Sequence, residues 1–310
     1  MRSRPERARP GLSDVRSLVP LGPARAGVGG GCRGVPPPHA GTTRSRERAP
    51  GRREGAASRD HGRRRPRRVR MPSAPARRYR RRAEGGQLVA AHRRGKAMWC
   101  DTVDADGNAG PALGIHLGMG GRIIVTAPDG ESTSRYGGGD PHVGERETDK
   151  PEWTRFSLTF EDGGQLRLFD KRRLGRVRLD PDVDALGPDA AEVGREEFRS
   201  RIQASTAPIK ARLLDQSVVA GIGNLLADEV LWRASISPSR RSKTLDDDTV
   251  DELRVVLRRA IRSAIAKGGV HTGEIIPFRK ADATCPRCGA PMSRGTVGGR
   301  TTWWCSNEQA

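Results

Sequence analysis

The string Leu213-Leu-Asp-Gln-Ser-Val-Val-Ala-Gly-Ile-Gly-Asn-Leu-Leu-Ala-Asp-Glu-Val-Leu-Trp232 constrains the fold more than any other stretch of this chain. Apolar residues crowd both of its ends. Between them, Gly221 and Gly223 permit backbone conformations closed to other residues. The pattern reads as helix, tight turn, helix. Asn224 stands at the start of the second helix, where free N–H groups and the helix dipole favour an anion such as a phosphate.

The flanks extend the same reading. Short helices are expected over 195–205 and over 209–216, the latter entered through Pro208, which suits a first helical position. Another is expected over 224–234. The clearest covers 248–267, with Leu253, Val256, Leu257, Ala260, Ile261, Ala264 and Ile265 on one face. Aspartates precede it and Gly268-Gly269 end it, as capping and the dipole favour. Residues 181–275 therefore form a helical domain.

Residues 85–180 read differently. Leu113-Gly-Ile-His-Leu-Gly-Met119 and Arg122-Ile-Ile-Val125 are apolar and β-branched around glycines. Phe156, Leu158 and Phe160 alternate with polar residues, turn at Glu161-Asp-Gly-Gly164, and continue into Leu166 and Leu168. That is a hairpin with one buried face. An antiparallel β domain follows, with a polar, glycine-rich surface loop over 126–150.

Residues 1–84 hold 24 Arg, no Lys and 6 acidic residues, with Pro and Gly throughout. Such a segment buries too little apolar surface to offset its chain entropy, and disorder is expected. It reads either as a basic nucleic-acid arm or as a translated stretch upstream of the true start. The net charge of +20 sits almost wholly there, because the remainder has 33 basic against 31 acidic residues. Any DNA-facing patch on the folded part must then be local.

Cys285-Pro-Arg-Cys288, followed after sixteen residues by Cys305, has metal-ligand spacing: two thiolates two residues apart form half of a tetrahedral zinc site. The cysteine usage favours a reducing compartment over a disulfide framework. No apolar run is long enough to span a membrane.

Taken together, these motifs resemble those of the Fpg/Nei family of DNA glycosylases over residues 85 to 307. The resemblance implies an α+β multidomain fold: an incomplete antiparallel β-sandwich (85–180), a helix–two-turn–helix domain (181–275) and a C-terminal zinc-finger β-hairpin (280–310). It implies that Asn224 and Lys210 contact DNA phosphate. Arg300, at the hairpin tip, would contact DNA and assist the elimination step. Lys96, in the tetrad Arg93-Arg94-Gly95-Lys96, matches the lysine that protonates the opened sugar and touches the phosphate near the lesion. Met119, Arg172 and Leu174 match the residues that fill the hole left by an extruded base, and extrusion needs such fillers because unstacking costs a few kcal/mol. Leu174 replaces the usual phenylalanine. Arg173 is a further backbone contact.

Two departures stand out. The fourth zinc ligand falls on Glu308, so one zinc ion per chain would be completed by Glu308, by water or His271, or not bound at all. The amino-terminal Pro-Glu nucleophile of the family has no counterpart; Met71-Pro72 is the nearest match, but Ser73 follows it and Pro72 is an internal amide. The expected activity is excision of oxidised bases from duplex DNA with AP lyase cleavage. The competing expectation is an inactive damaged-DNA binder. The partner is damaged double-stranded DNA and the chain is expected to be a cytoplasmic monomer, associated with the nucleoid if bacterial.

Overall fold

The computed structural model describes residues 85–130, 133–136 and 150–309. The expectations for 1–84, Pro72 among them, lie outside the described residues.

Among the described residues the β domain holds eight strands: β1 (Gln87–Arg94), β2 (Ala97–Val103), β3 (Leu113–His116), β4 (Arg122–Thr126), β5 (Thr133–Tyr136), β6 (Thr154–Thr159), β7 (Gln165–Phe169) and β8 (Arg176–Leu179). They form two four-stranded sheets in the orders β1-β2-β3-β8 and β5-β4-β7-β6, with every neighbour antiparallel. Alternation sends Met98, Cys100, Leu113 and Ile115 from the first sheet, and Ile123, Val125, Leu166 and Leu168 from the second, into one core. The expected hairpin is β6–β7, closed by the Phe160–Gly164 turn, where the Phe160 N–H donates to the Gly164 carbonyl at 2.8 Å. The expected loop over 126–150 contains β5, an edge strand paired with β4.

Four helices follow: α1 (Arg195–Gln203), α2 (Ile209–Leu214), α3 (Asn224–Arg233) and α4 (Asp247–Ala266). Each starts within a residue of its expected position and ends one or two residues early. Phe198, Ile202, Leu213, Ile222, Val230 and Leu257 lie in the shared core. Helix α4 is capped by the Asp246 carboxylate, which accepts from the Thr249 N–H at 2.7 Å. At its other end the Gly269 N–H reaches back to the Ala264 carbonyl at 2.7 Å, with Gly268 at φ +85°. Its apolar face is buried from Val250 to Ala260, but Ile265 is exposed because the last turn runs past the core. A final hairpin pairs β9 (Ser293–Val297) with β10 (Arg300–Trp304).

Candidate nucleic-acid interface

The β1–β2 turn of the sandwich is seated on the turn between α2 and α3. Gly95, at φ +59°, lies so close that a Cβ there would come within 2.4 Å of the Gly221 nitrogen. Asp189 holds the two together: one carboxylate oxygen accepts from Arg93 Nη1 at 2.6 Å and from the Gly95 N–H at 2.7 Å. The α2–α3 turn is stiffened from within by Gln216. Its Oε1 accepts from the Gly221 N–H at 3.0 Å and its Nε2 donates to the Ile222 carbonyl at 3.0 Å.

That seating delivers Lys96 to the turn before α3. Its Nζ donates to the same Ile222 carbonyl at 2.9 Å. Burial holds the Lys96 ammonium below the usual lysine range, and the Arg300 charge lowers it further. Asn224 follows immediately at the start of α3. Its Nδ2 donates to the Thr301 carbonyl of β10 at 3.0 Å, while its Oδ1 has no hydrogen-bond partner. Lys96, Asn224 and Arg300, far apart in sequence, thus meet where the β domain, the α2–α3 turn and the hairpin converge.

Lys210 is placed otherwise. The resemblance puts it against a DNA phosphate; in this structure its side chain is 0% exposed and its Nζ lies 2.6 Å from Asp228 Oδ1. A buried ammonium paired in this way holds protein elements together and presents no charge to a ligand.

The hole-filling candidates occupy two touching loops. Met119 lies between β3 and β4 with 69% of its surface exposed, and Leu174 lies between β7 and β8 at 41%. A lone exposed apolar residue is ordinary, but two on adjoining loops beside a basic face call for a partner. The loops touch at Gly118, where a Cβ would meet Leu174 at 2.8 Å. The second loop is built around buried Asp170, whose carboxylate accepts from the N–H groups of Arg172, Leu174 and Gly175 at 3.0, 2.6 and 2.5 Å. Arg172 and Arg173 are thereby exposed at the loop tip, Arg173 at a strained φ of +58°.

His116, at the end of β3, braces the first of these loops. Its Nδ1 accepts from the Gly118 N–H at 2.9 Å, which leaves Nε2 as the protonated, donating nitrogen. Burial first, and then the charges of Lys96, Arg176 and Arg178, lower its pKa and favour the neutral ring. The basic face is local, as the charge distribution required. Sequence reasoning missed Asp189, Asp170 and His116 as organising residues. Only Asp170 carried a signal, since an aspartate followed by a glycine-ended turn is a familiar loop-forming arrangement.

The cysteine cluster lies at the base of the hairpin. The sulfur atoms of Cys285, Cys288 and Cys305 all lie within 4.8 Å of one another. The tight turn behind the pair is closed by the Gly289 N–H donating to the Cys285 carbonyl at 2.8 Å, with Gly289 at φ +73°. Burial pushes both the Cys285 and Cys305 thiols up. At Cys285 the nearby Trp232 indole and the N–H groups of Cys288 and Arg287 reverse this and bring it to about 7, whereas Cys305 stands at about 11. Three soft sulfur donors at this spacing fit a zinc ion. Glu308 does not join them: its Oε2 lies 3.9 Å from Arg287 Nη1, an ion pair that draws it aside. Among the described residues, His271 is not in the cluster either.

Comparison with known proteins agrees with this arrangement. Residues 53–177 match the family model of the formamidopyrimidine-DNA glycosylase N-terminal domain, and residues 185–274 that of the formamidopyrimidine-DNA glycosylase H2TH domain. The first match begins well inside the arginine-rich segment. A formamidopyrimidine-DNA glycosylase from Nocardia farcinica is 32% identical over 296 residues, covering 85% of this chain and 93% of the relative. One from Corynebacterium aurimucosum is 30% identical, covering 73% and 80%. Among solved structures, the complex of Lactococcus lactis Fpg with an abasic site containing DNA has a TM-score of 0.54 at 26% identity, covering 73% of this chain and 82% of that one. MutM in complex with carbocyclic 8-oxo-G containing DNA has the same TM-score and identity, covering 72% and 82%. The chain belongs to the formamidopyrimidine-DNA glycosylase family.

Proposed function

We infer that this protein is a base-excision repair DNA glycosylase that removes oxidised bases from duplex DNA. The observation that carries the reading is the convergence of Lys96, Asn224 and Arg300 beside two loops that expose Met119 and Leu174. Solved relatives of the same fold are complexes with damaged DNA. Kinship with named glycosylases, across most of their length, speaks against the inactive-binder alternative.

In this reading the duplex lies across the basic face. The start of α3 offers a phosphate the Asn224 amide and free backbone N–H groups. Met119 and Leu174 enter the stack in place of the extruded base, and Arg172 and Arg173 hold the duplex beside them. Lys96, with its proton loosened by burial and by Arg300, donates to the opening sugar, a role suited to a pKa drawn toward neutrality. Arg300 assists the AP lyase step. The nucleophile is an amino-terminal amine by family chemistry; Pro72 supplies one only where translation begins at Met71 and that methionine is removed, because within the chain its nitrogen is an amide. One zinc ion on Cys285, Cys288 and Cys305 would tie the two ends of the hairpin together and supply structure, not chemistry. The chain would act as a monomer on chromosomal DNA in the cytoplasm.

Equilibrium binding to intact and abasic-site duplexes tests the assignment. Asn224→Ala is expected to weaken both, by about 10-fold or more, as loss of a hydrogen bond to a charged group does. Met119→Ala is expected to weaken the abasic-site duplex by several-fold and leave the intact duplex within twofold. Equal losses for both duplexes in the Met119 variant would remove it from the hole-filling role.

A further inference from the structure

We propose that a buried ion cluster of Lys210, Asp228 and Arg279 positions the β9–β10 hairpin, and through it Arg300, over the DNA-binding face. The inference rests on the reading of Arg300 as a DNA-facing residue.

Asp228, on α3, is 2% exposed and is the centre of the cluster. Its Oδ1 lies 2.6 Å from Lys210 Nζ on α2. Its Oδ2 accepts from Arg279 Nε at 2.8 Å, ahead of the cysteine turn, and from the Trp303 N–H of β10 at 3.3 Å. Lys210 reaches onward, donating to Thr302 Oγ1 at 2.7 Å and to the Thr301 carbonyl at 3.3 Å. Arg279 Nη2 approaches the same carbonyl at 3.5 Å. The Thr302 hydroxyl then donates to the Arg300 carbonyl at 3.0 Å. Residues 300 to 303 are therefore each held, directly or through one atom, by a group fixed in the helical domain.

Two cations on one buried carboxylate are an expensive way to dock a hairpin. Apolar packing of the same volume costs less desolvation and is often more stabilising. Apolar contact, however, is non-directional and leaves a strand free to shift along its axis. Bonds to the Thr301 carbonyl, the Thr302 hydroxyl and the Trp303 N–H define one register. The tip is fixed as well, since Gly298 lies against α2 so closely that a Cβ would come within 2.9 Å of Ala211 Cα. A displacement of about 1 Å at a catalytic group is enough to lose much of its effect, which gives a buried, directional support its use. Lys210, Asp228 and Arg279 are thus positioning residues that act through Arg300.

The test is amide hydrogen exchange on the full chain, with and without a chelator, with the α4 amides of residues 253–257 reporting global folding. In the unaltered protein β10 is expected to stay protected when chelator is added. In Asp228→Asn the β10 amides should exchange about 100-fold faster with α4 unchanged, in keeping with the effect of breaking a buried pair. If that variant unfolds as a whole, the paired replacement of Lys210→Met with Asp228→Leu, made together with Arg279→Met so that no cation stays buried without its carboxylate, decides. It should keep α4 protection yet loosen β10, and the labelling of Lys96 by an amine reagent should move to higher pH as the Arg300 charge departs. Protection of β10 equal to the unaltered protein in the paired variant, or its loss on chelation alone, would overturn the proposal. None of these readouts needs DNA, so they fail or succeed apart from the glycosylase reading.

Discussion

Lys96 is a cation held where charge is disfavoured. Burial and the Arg300 guanidinium both work against its ammonium, and the Ile222 carbonyl that accepts from it is also served by Gln216. In the unfolded chain Lys96 keeps lysine's ordinary 10.5, so between the lowered folded value and 10.5 the unfolded state binds more protons and stability rises with pH. Lys96→Met should therefore raise Tm at neutral pH, by an amount that shrinks as pH climbs toward 10.5, while weakening binding to an abasic-site duplex. A lower Tm at neutral pH would mean that the Ile222 bond outweighs the charge penalty. Under the role proposed for Lys96, this is a trade of stability for function. Lys210 teaches the opposite lesson. The sequence offers a lysine beside a helix, and phosphate contact and burial fit that residue type equally well. The deciding partner, Asp228, lies on the next helix, and no local pattern announces the pairing.

Among the elements, the β1–β2 turn and the Asp170 loop carry most of the site. Gly95→Ala would place a methyl group against the backbone of the α2–α3 turn at a φ that L-residues resist. A loss of about 2–4 kcal/mol in denaturant unfolding is expected from the combined clash and strain. Asp170→Ala would strip the three N–H groups of Arg172, Leu174 and Gly175 of their acceptor, for a loss of about 2–4 kcal/mol. It should also abolish the preference for abasic-site over intact duplex, because the loop then no longer presents Leu174. Full preference retained in that variant would separate the loop from lesion recognition. The helices were legible because their apolar period and end signals are local and agree. Strand β5 was not, since Thr133–Tyr136 is a polar edge strand with no apolar alternation to mark it. The cysteine cluster was legible from its spacing; the sequence left open whether Glu308 completes a zinc site, and its pairing with Arg287 shows only in the folded turn.

At the scale of the whole molecule, the candidate site lies where three elements distant in sequence meet: a sandwich turn carrying Lys96, a helix start carrying Asn224 and a hairpin carrying Arg300. The motif strings identified each piece. Their assembly rests on Asp189 and Asp228, acids whose importance appears only in three dimensions. The central claim is that this assembly excises damaged bases, and trapping tests it most directly. The full chain is incubated with duplex DNA bearing an oxidised guanine and reduced with borohydride while base release is followed. A covalent protein–DNA band accompanied by released base is the predicted result, with peptide mapping placing the adduct on an amine. Tight binding to the same duplex with neither band nor base release would contradict it and leave the chain as a lesion-binding scaffold.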